Sequence, residues 1–160
     1  MTRGIHVTVA AIIEHRGRFL MVEERAAGAL VLNQPAGHLE RGESLQAAVT
    51  REALEETGHR FEPEHVVGLY LWHSPNADTT YLRVAFCGAA EPPADVVPLD
   101  EGIVGLHWLS RGELAGRATQ LRSPMVLHCI DDYLAGRRYP LACLTYLAPS
   151  PPGLDAQAFG

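Results

Sequence analysis

Glu52, Glu55 and Glu56 lie close together in a run of good helix formers, Leu45 to Thr57, that follows Ser44 and stops at Gly58. Ser44 suits an N-cap and Gly58 a left-handed C-terminal stop. On a wheel turning about 100° per residue with Leu45 at the origin, Ala48, Val49 and Ala53 form an apolar stripe from about 300° to about 80°. Glu52 falls at about 340°, Glu56 at about 20° and Glu55 at about 280°. Two carboxylates therefore sit within the stripe that should face the core, and the third sits on its shoulder. Burying them without compensation costs folding free energy. Their mutual repulsion, about 3 kcal/mol per pair at roughly 5 Å and an effective dielectric near 20, adds to that cost, as does the macrodipole in the C-terminal half of the helix. A divalent cation answers all three objections, and hard carboxylate oxygens suit Mg²⁺ or Mn²⁺. A Glu-rich solvent face, with Glu55 paired to Arg51 one turn earlier, is the plainer alternative. It does not explain acids placed on the stripe.

Gly37, Glu43, Arg51-Glu52, Glu55-Glu56 and Gly58 match the spacing G-x5-E-x7-R-E-U-x-E-E-x-G-U. Over Gly37 to His59 the chain resembles the Nudix hydrolase family. It departs only at two packing positions, where Ala53 is small and His59 is polar. The resemblance implies an α+β fold, an α/β/α sandwich in which a mixed β-sheet lies between helices and the motif forms a loop-helix-loop. It also implies hydrolysis of a nucleoside diphosphate linked to another group, or of a related diphosphate, with Mg²⁺ or Mn²⁺. Carried over by position, Glu52, Glu55, Glu56 and the Gly37 carbonyl would hold metal. Arg51 would orient a catalytic glutamate by a charge-assisted hydrogen bond, and Glu43 would support the loop. The general base is then Glu55 or Glu56, or an acid outside the motif, Asp100 or Glu101, with Glu101 slightly preferred.

Asn33-Gln34-Pro35-Ala36-Gly37-His38, Leu121-Arg122-Ser123-Pro124 and Arg138-Tyr139-Pro140-Leu141 are similar to the NudJ-type phosphatase branch of that family. The branch implies loss of a terminal phosphate from nucleoside di- or triphosphates or from thiamine-type pyrophosphates, with His38, Arg83 and Arg122 at the phosphates; Gln34 and Trp72 are further candidates to meet the substrate. Arg83 reads evenly as a phosphate clamp or as one end of a salt bridge to an acid. His38 reads as a phosphate donor or a backbone-bonded loop residue. Tyr70 and Trp72 share a strand face and offer stacking surface, with core packing expected for at least one. Two rivals remain: a pyrophosphohydrolase on another nucleotide derivative, and a sensor or RNA-binding module without turnover. The second typically loses motif carboxylates, and this chain has lost none.

The elements that must position these residues belong to a chain of 160 residues, 47% hydrophobic, long enough for one domain with a core of its own. The net charge of −6 and a pI near 5.7 oppose a protein that grips nucleic acid through clustered cations, so the expected partner is a small phosphorylated molecule. Cys87, Cys129 and Cys143 show no pairing or zinc spacing, which fits buried thiols and a cytoplasmic setting. The stretch Val7 to Ile13 is too short to span a membrane. Ile5 to Ile13 and Arg18 to Glu23 read as a β-hairpin around His15-Arg16-Gly17. A loop from Ala26 to Gly42 leads to the Glu helix. Strands at Val66 to Trp72 and Thr79 to Cys87, a Pro-rich loop from Glu91 to Pro98, a strand at Leu106 to Leu109 and helices at Arg111 to Ala115 and Pro124 to Ala135 follow. Residues 1–148 form the expected domain and 149–160 an expected mobile tail. Oligomeric state is not legible.

Overall fold

The computed structural model describes residues 4–149, so the expected tail lies outside the described residues apart from Pro149. In chain order the elements are β1 (Ile5–Ile12), β2 (Glu14–His15), β3 (Arg18–Ala26), β4 (Ala29–Asn33), β5 (Ala36–His38), α1 (Leu45–Thr57), β6 (Arg60–Ser74), β7 (Thr79–Glu91), β8 (Ile103–Ser110), α2 (Arg111–Ala115), α3 (Met125–Leu134) and β9 (Tyr139–Pro140). Five strands form a mixed sheet in the order β5-β1-β7-β6-β9, in which only β1 and β7 run parallel. A second sheet is built on β3, which bonds β2, β4 and β8.

Helices cover both faces of the five-stranded sheet, because its central strands are apolar on both sides. The α1 stripe, Ala48, Val49 and Ala53, packs on Val9, Ala11, Val84 and Phe86. On the other face Val126, Cys129 and Ile130 of α3 and Leu114 of α2 meet Ile12, Ala85 and Cys87. The result is the α/β/α sandwich expected from the sequence. Full burial of side chains such as Val49 and Phe86 stabilises by about 1.5–3 kcal/mol each. Among the described residues no helix is long and apolar enough to cross a membrane.

The local signals around α1 hold. The Ser44 hydroxyl accepts from Ala47 N at 3.1 Å, and Gly58, at φ 72°, donates its N–H to Leu54 O at 2.8 Å. The expected β-hairpin is corrected. Arg16 and Gly17, both at positive φ, make a two-residue turn between β2 and β3, but β1 and β3 belong to different sheets. Val9 to Ile13 are buried without interruption, so β1 needs a cover on each face and goes to the sheet interior, which a hairpin strand with one wet face cannot provide. The expected loop from Ala26 to Gly42 holds two further strands, β4 and β5, too short and too rich in Gly and Pro surroundings to show a period of two. The strand read as Val66 to Trp72 extends from Arg60 to Ser74, with Pro63 at a register break where no ladder N–H is required. Cys87 and Cys129 are buried free thiols, whereas Cys143 is exposed.

Candidate active site

The acidic wall forms where α1 lies against β5. Glu56 Oε2 accepts from Ala36 N at 2.9 Å. The Glu52 carboxylate rests on Gly37 so closely that a Cβ there would push that carboxylate from its place. Both side chains are buried, at 9% and 7% exposure for Glu52 and Glu56. Burial pushes the Glu56 carboxyl up to about 9, against the pull of the Ala36 N–H and with help from the charges of Glu24, Glu52 and Asp100. Burial also raises Glu52, outweighing its hydrogen bond from Arg51. In the ligand-free chain Glu56 therefore keeps its proton at neutral pH.

Arg51 organises the rest of this wall. Its Nε and Nη2 donate to the two oxygens of Glu43, at 3.0 and 2.7 Å, in a fork. Nη1 donates to Glu52 Oε1 at 2.8 Å and Glu55 Oε2 at 3.1 Å, and Nη2 also reaches the His38 carbonyl at 3.1 Å. The Arg51 hydrogen bond holds the Glu43 carboxyl below its ordinary range, and the same bonds raise Arg51 further above its already high value. Glu43 Oε1 in turn accepts from Glu40 N at 2.8 Å, closing the loop before α1.

Across the cavity stands Arg83 of β7, 4% exposed. Among the described residues no acid holds it, so the salt-bridge alternative is corrected: Nη1 donates to Gln34 Oε1 at 3.0 Å and Nη2 to Asn33 Oδ1 at 3.1 Å. Its Nε is buried without a partner. Gln34 is itself tied to α3 through Nε2 and the Val126 carbonyl at 2.8 Å. It lies behind Arg83 instead of lining the cavity, and can act on a ligand only through that arginine. Thr8, beside Arg83 in the β1–β7 register, has a buried hydroxyl without a partner. Trp72 faces the cavity, whereas Tyr70 turns to the core and donates its hydroxyl to Asp132 Oδ2 at 2.8 Å. His38 meets His6, ring nitrogens 3.2 Å apart, and burial followed by the neighbouring His6 and Arg122 charges lowers its pKa.

One cavity of about 760 Å³ gathers Gly37, His38, Arg51, Glu52, Glu55, Glu56, Trp72, Arg83 and Arg122. Asp100 also lines it, with its N–H on the Glu55 carbonyl at 3.0 Å. Glu101, exposed in the next turn position, does not line it. Sequence reasoning missed Glu24, Asn33, Thr8, Tyr81 and Ser123, all in the cavity wall. For Glu24 a signal existed: Glu23-Glu24 ends an otherwise apolar strand. Among the described residues no three His, Cys, Asp or Glu side chains converge on one point as they stand, since Arg51 draws Glu52 and Glu55 while Ala36 N draws Glu56. The donor set nevertheless suits a hard divalent cation: several carboxylates beside a backbone glycine, with Glu56 buried and, among the described residues, paired with no cation.

A family model described as the NUDIX domain matches residues 2–129. The chain is 42% identical over 136 residues to the Phosphatase NudJ of Escherichia coli K12, which covers 85% of this chain and 88% of that protein. It is 42% identical to the protein of the same name from Shigella sonnei, over the same shares of each chain. A solved NUDIX hydrolase from Nitrosomonas europaea is 48% identical, with a TM-score of 0.87, 92% of this chain covered and 100% of that one. A MutT protein from Methanosarcina mazei Go1, 20% identical with a TM-score of 0.70, covers 86% of this chain and 99% of its own, and shares the fold.

Proposed function

Since the chain belongs to the Nudix hydrolase family, we propose that it releases phosphate from nucleoside di- or triphosphates or from a thiamine-type pyrophosphate, with Mg²⁺ or Mn²⁺ as cofactor. The observation that supports this most is the division of one cavity into a wall of three glutamates and a facing arginine that no carboxylate neutralises. Glu52, Glu55, Glu56 and the Gly37 carbonyl are the residues that would hold the metal. When bound, it supplies charge neutralisation of the diphosphate and a more acidic water. The overall acidity of the chain makes that supply necessary.

The protein groups then divide the remaining work. Arg83 and Arg122 hold the phosphates across the cavity, Arg83 with its fork fixed by Asn33 and Gln34. Arg51 keeps the Glu52 and Glu55 carboxylates turned toward the substrate side. Asp100 or Glu55 takes the proton from the attacking water, the two being joined by the Asp100 N–H on the Glu55 carbonyl. Attack in line on the terminal phosphorus expels the remainder of the substrate as a diphosphate or monophosphate. The free buried thiols fit work in the cytoplasm. The test is phosphorus NMR of early products from a nucleoside triphosphate, with Mg²⁺ and with chelator. Orthophosphate and nucleoside diphosphate, formed only with Mg²⁺, are expected. Pyrophosphate as the main product would overturn the phosphatase assignment while leaving the family standing.

A further inference from the structure

A second cavity, of about 570 Å³, opens beside the first and shares Trp72, Asn76, Arg122 and Ser123 with it. The two differ in chemistry. The first carries the α1 carboxylates and Arg83, whereas the second takes much of its wall from Pro75, Leu121, Pro124 and Leu127. Its one carboxylate, Asp131, is already held in a fork by Arg111, from Nε at 2.8 Å and from Nη2 at 3.0 Å. A cation closed on its own partner offers little to a polyphosphate; with Arg122 at the border and His128 the other basic side chain of a largely apolar wall, this cavity suits a neutral group better than the first does.

The join between the cavities has the shape for a flat one. Trp72 lies nearly parallel to Tyr81, with 22° between ring planes and 6.0 Å between centroids. The two are cross-strand partners on β6 and β7, so the sheet holds them in place before a ligand arrives and stacking on the indole orders little else. Arg122 marks the boundary between the charged and the apolar side, its Nη1 3.9 Å from Glu24 Oε1. The Ser123 hydroxyl is buried in the shared wall without a partner. That cost is recovered by a ligand group able to hydrogen-bond it.

Resting on the phosphohydrolase reading of the first cavity, we infer that the second cavity receives the organic half of the substrate, a planar nitrogen heterocycle that stacks on Trp72 and hydrogen-bonds Ser123. Ser123 and Trp72 are then the residues that set specificity, while the reacting phosphates stay in the first cavity. The chain has two tryptophans, and Trp108 lines neither cavity, so Trp108→Phe leaves Trp72 as the sole tryptophan, excited selectively over the tyrosines. A nucleoside monophosphate should quench it, whereas ribose 5-phosphate and inorganic phosphate should not. Ala118→Phe narrows the second cavity from an exposed position of its wall. It should raise KM for a nucleoside triphosphate about tenfold and leave the inhibition constant of inorganic tripolyphosphate unchanged. Quenching by all three phosphates alike, or an Ala118→Phe enzyme with wild-type KM, would overturn the inference while turnover keeps the phosphohydrolase reading. Nucleotide-specific quenching lost in Ala118→Phe, with no phosphate released by the wild type, would uphold the cavity assignment and overturn that reading instead.

Discussion

Arg51 on α1 is held by Glu43, Glu52 and Glu55 within 3.1 Å, whereas Arg83, across the same cavity on β7, is held by the side-chain carbonyls of Asn33 and Gln34 and lies beside the Cys129 thiol, with no carboxylate on it among the described residues. Carboxylates neutralise a guanidinium as they orient it; amides orient it and leave its charge in place. Arg51 is consequently a structural cation, spent on keeping the acidic wall in register. Arg83 is a buried charge with no counter-ion among the described residues, an arrangement that costs stability and that, on the proposed function, an entering phosphate would relieve. On the proposed function the two arginines would divide positioning from binding within one site.

The largest expected effect comes from dismantling the acidic wall. Glu55→Gln and Glu56→Gln should each weaken Mg²⁺ binding and lower turnover by about a hundredfold or more, read by calorimetry and initial rates. The metal-free melting temperature should hold or rise, because Glu55→Gln removes a like charge from a crowded face and Glu56→Gln removes a carboxyl that must take up a proton to be buried. A large loss of metal-free stability with activity intact would make the wall structural on both of its sides.

Next is the acid tethered to that wall. Asp100→Asn should lower kcat by about a hundredfold with metal affinity nearly unchanged, and Glu101→Gln, outside the cavity, should do less. Equal wild-type rates in both would return the general base to Glu55 or Glu56.

The contrast between the arginines predicts different kinetic signatures. Arg83→Met should raise KM for a phosphorylated substrate about tenfold, the scale of a lost charge-assisted hydrogen bond, with a smaller change in kcat. Arg51→Lys keeps the charge but loses the fork to Glu43, and should lower kcat several-fold with KM nearly constant. The reverse assignment of effects would break the comparison.

The last test reads metal-free stability. The folded Glu56 carboxyl titrates near 9, above its ordinary 4.5, so the folded chain binds this proton more tightly than the unfolded one. Its contribution is fully present below about pH 4.5 and is lost as pH rises toward 9. In chelator, Glu56→Gln should therefore melt higher than wild type at pH 9 and like wild type at pH 4.5. Parallel pH curves for the two proteins would contradict this.

The acidic wall was legible because everything that builds it is local: a helical period, a Ser44 cap, a Gly58 stop and a motif within one loop and helix. Of the facing wall, His38, Arg83, Trp72 and Arg122 were named, but not what holds them in place. The amides that hold Arg83 lie far from it in sequence, and no periodicity announces that Asn33 and Gln34 will cross to β7. Glu24 enters the site because β3 pairs with β4 and β8, a choice made by tertiary burial. The β1 misreading has the same origin. Its turn residues Arg16 and Gly17 were correctly seen as a turn, but the uninterrupted burial of Val9 to Ile13 sends β1 to a partner in the second half of the chain.

That partner is β7, and the pairing bears on the order in which the molecule folds. The β6–β7 ribbon joins neighbours through a short turn and belongs to the class of hairpins that close within about 1–10 μs. Parallel pairing of β1 with β7 must instead close a loop of nearly half the chain, so its entropy is lost before its contacts form. Thr8 meets Arg83, and His38 meets Thr8, only across β1. The cavity is thus expected to be among the last features to assemble during refolding, with a ribbon already carrying Arg83, Trp72 and Tyr81 waiting for the strand that completes it.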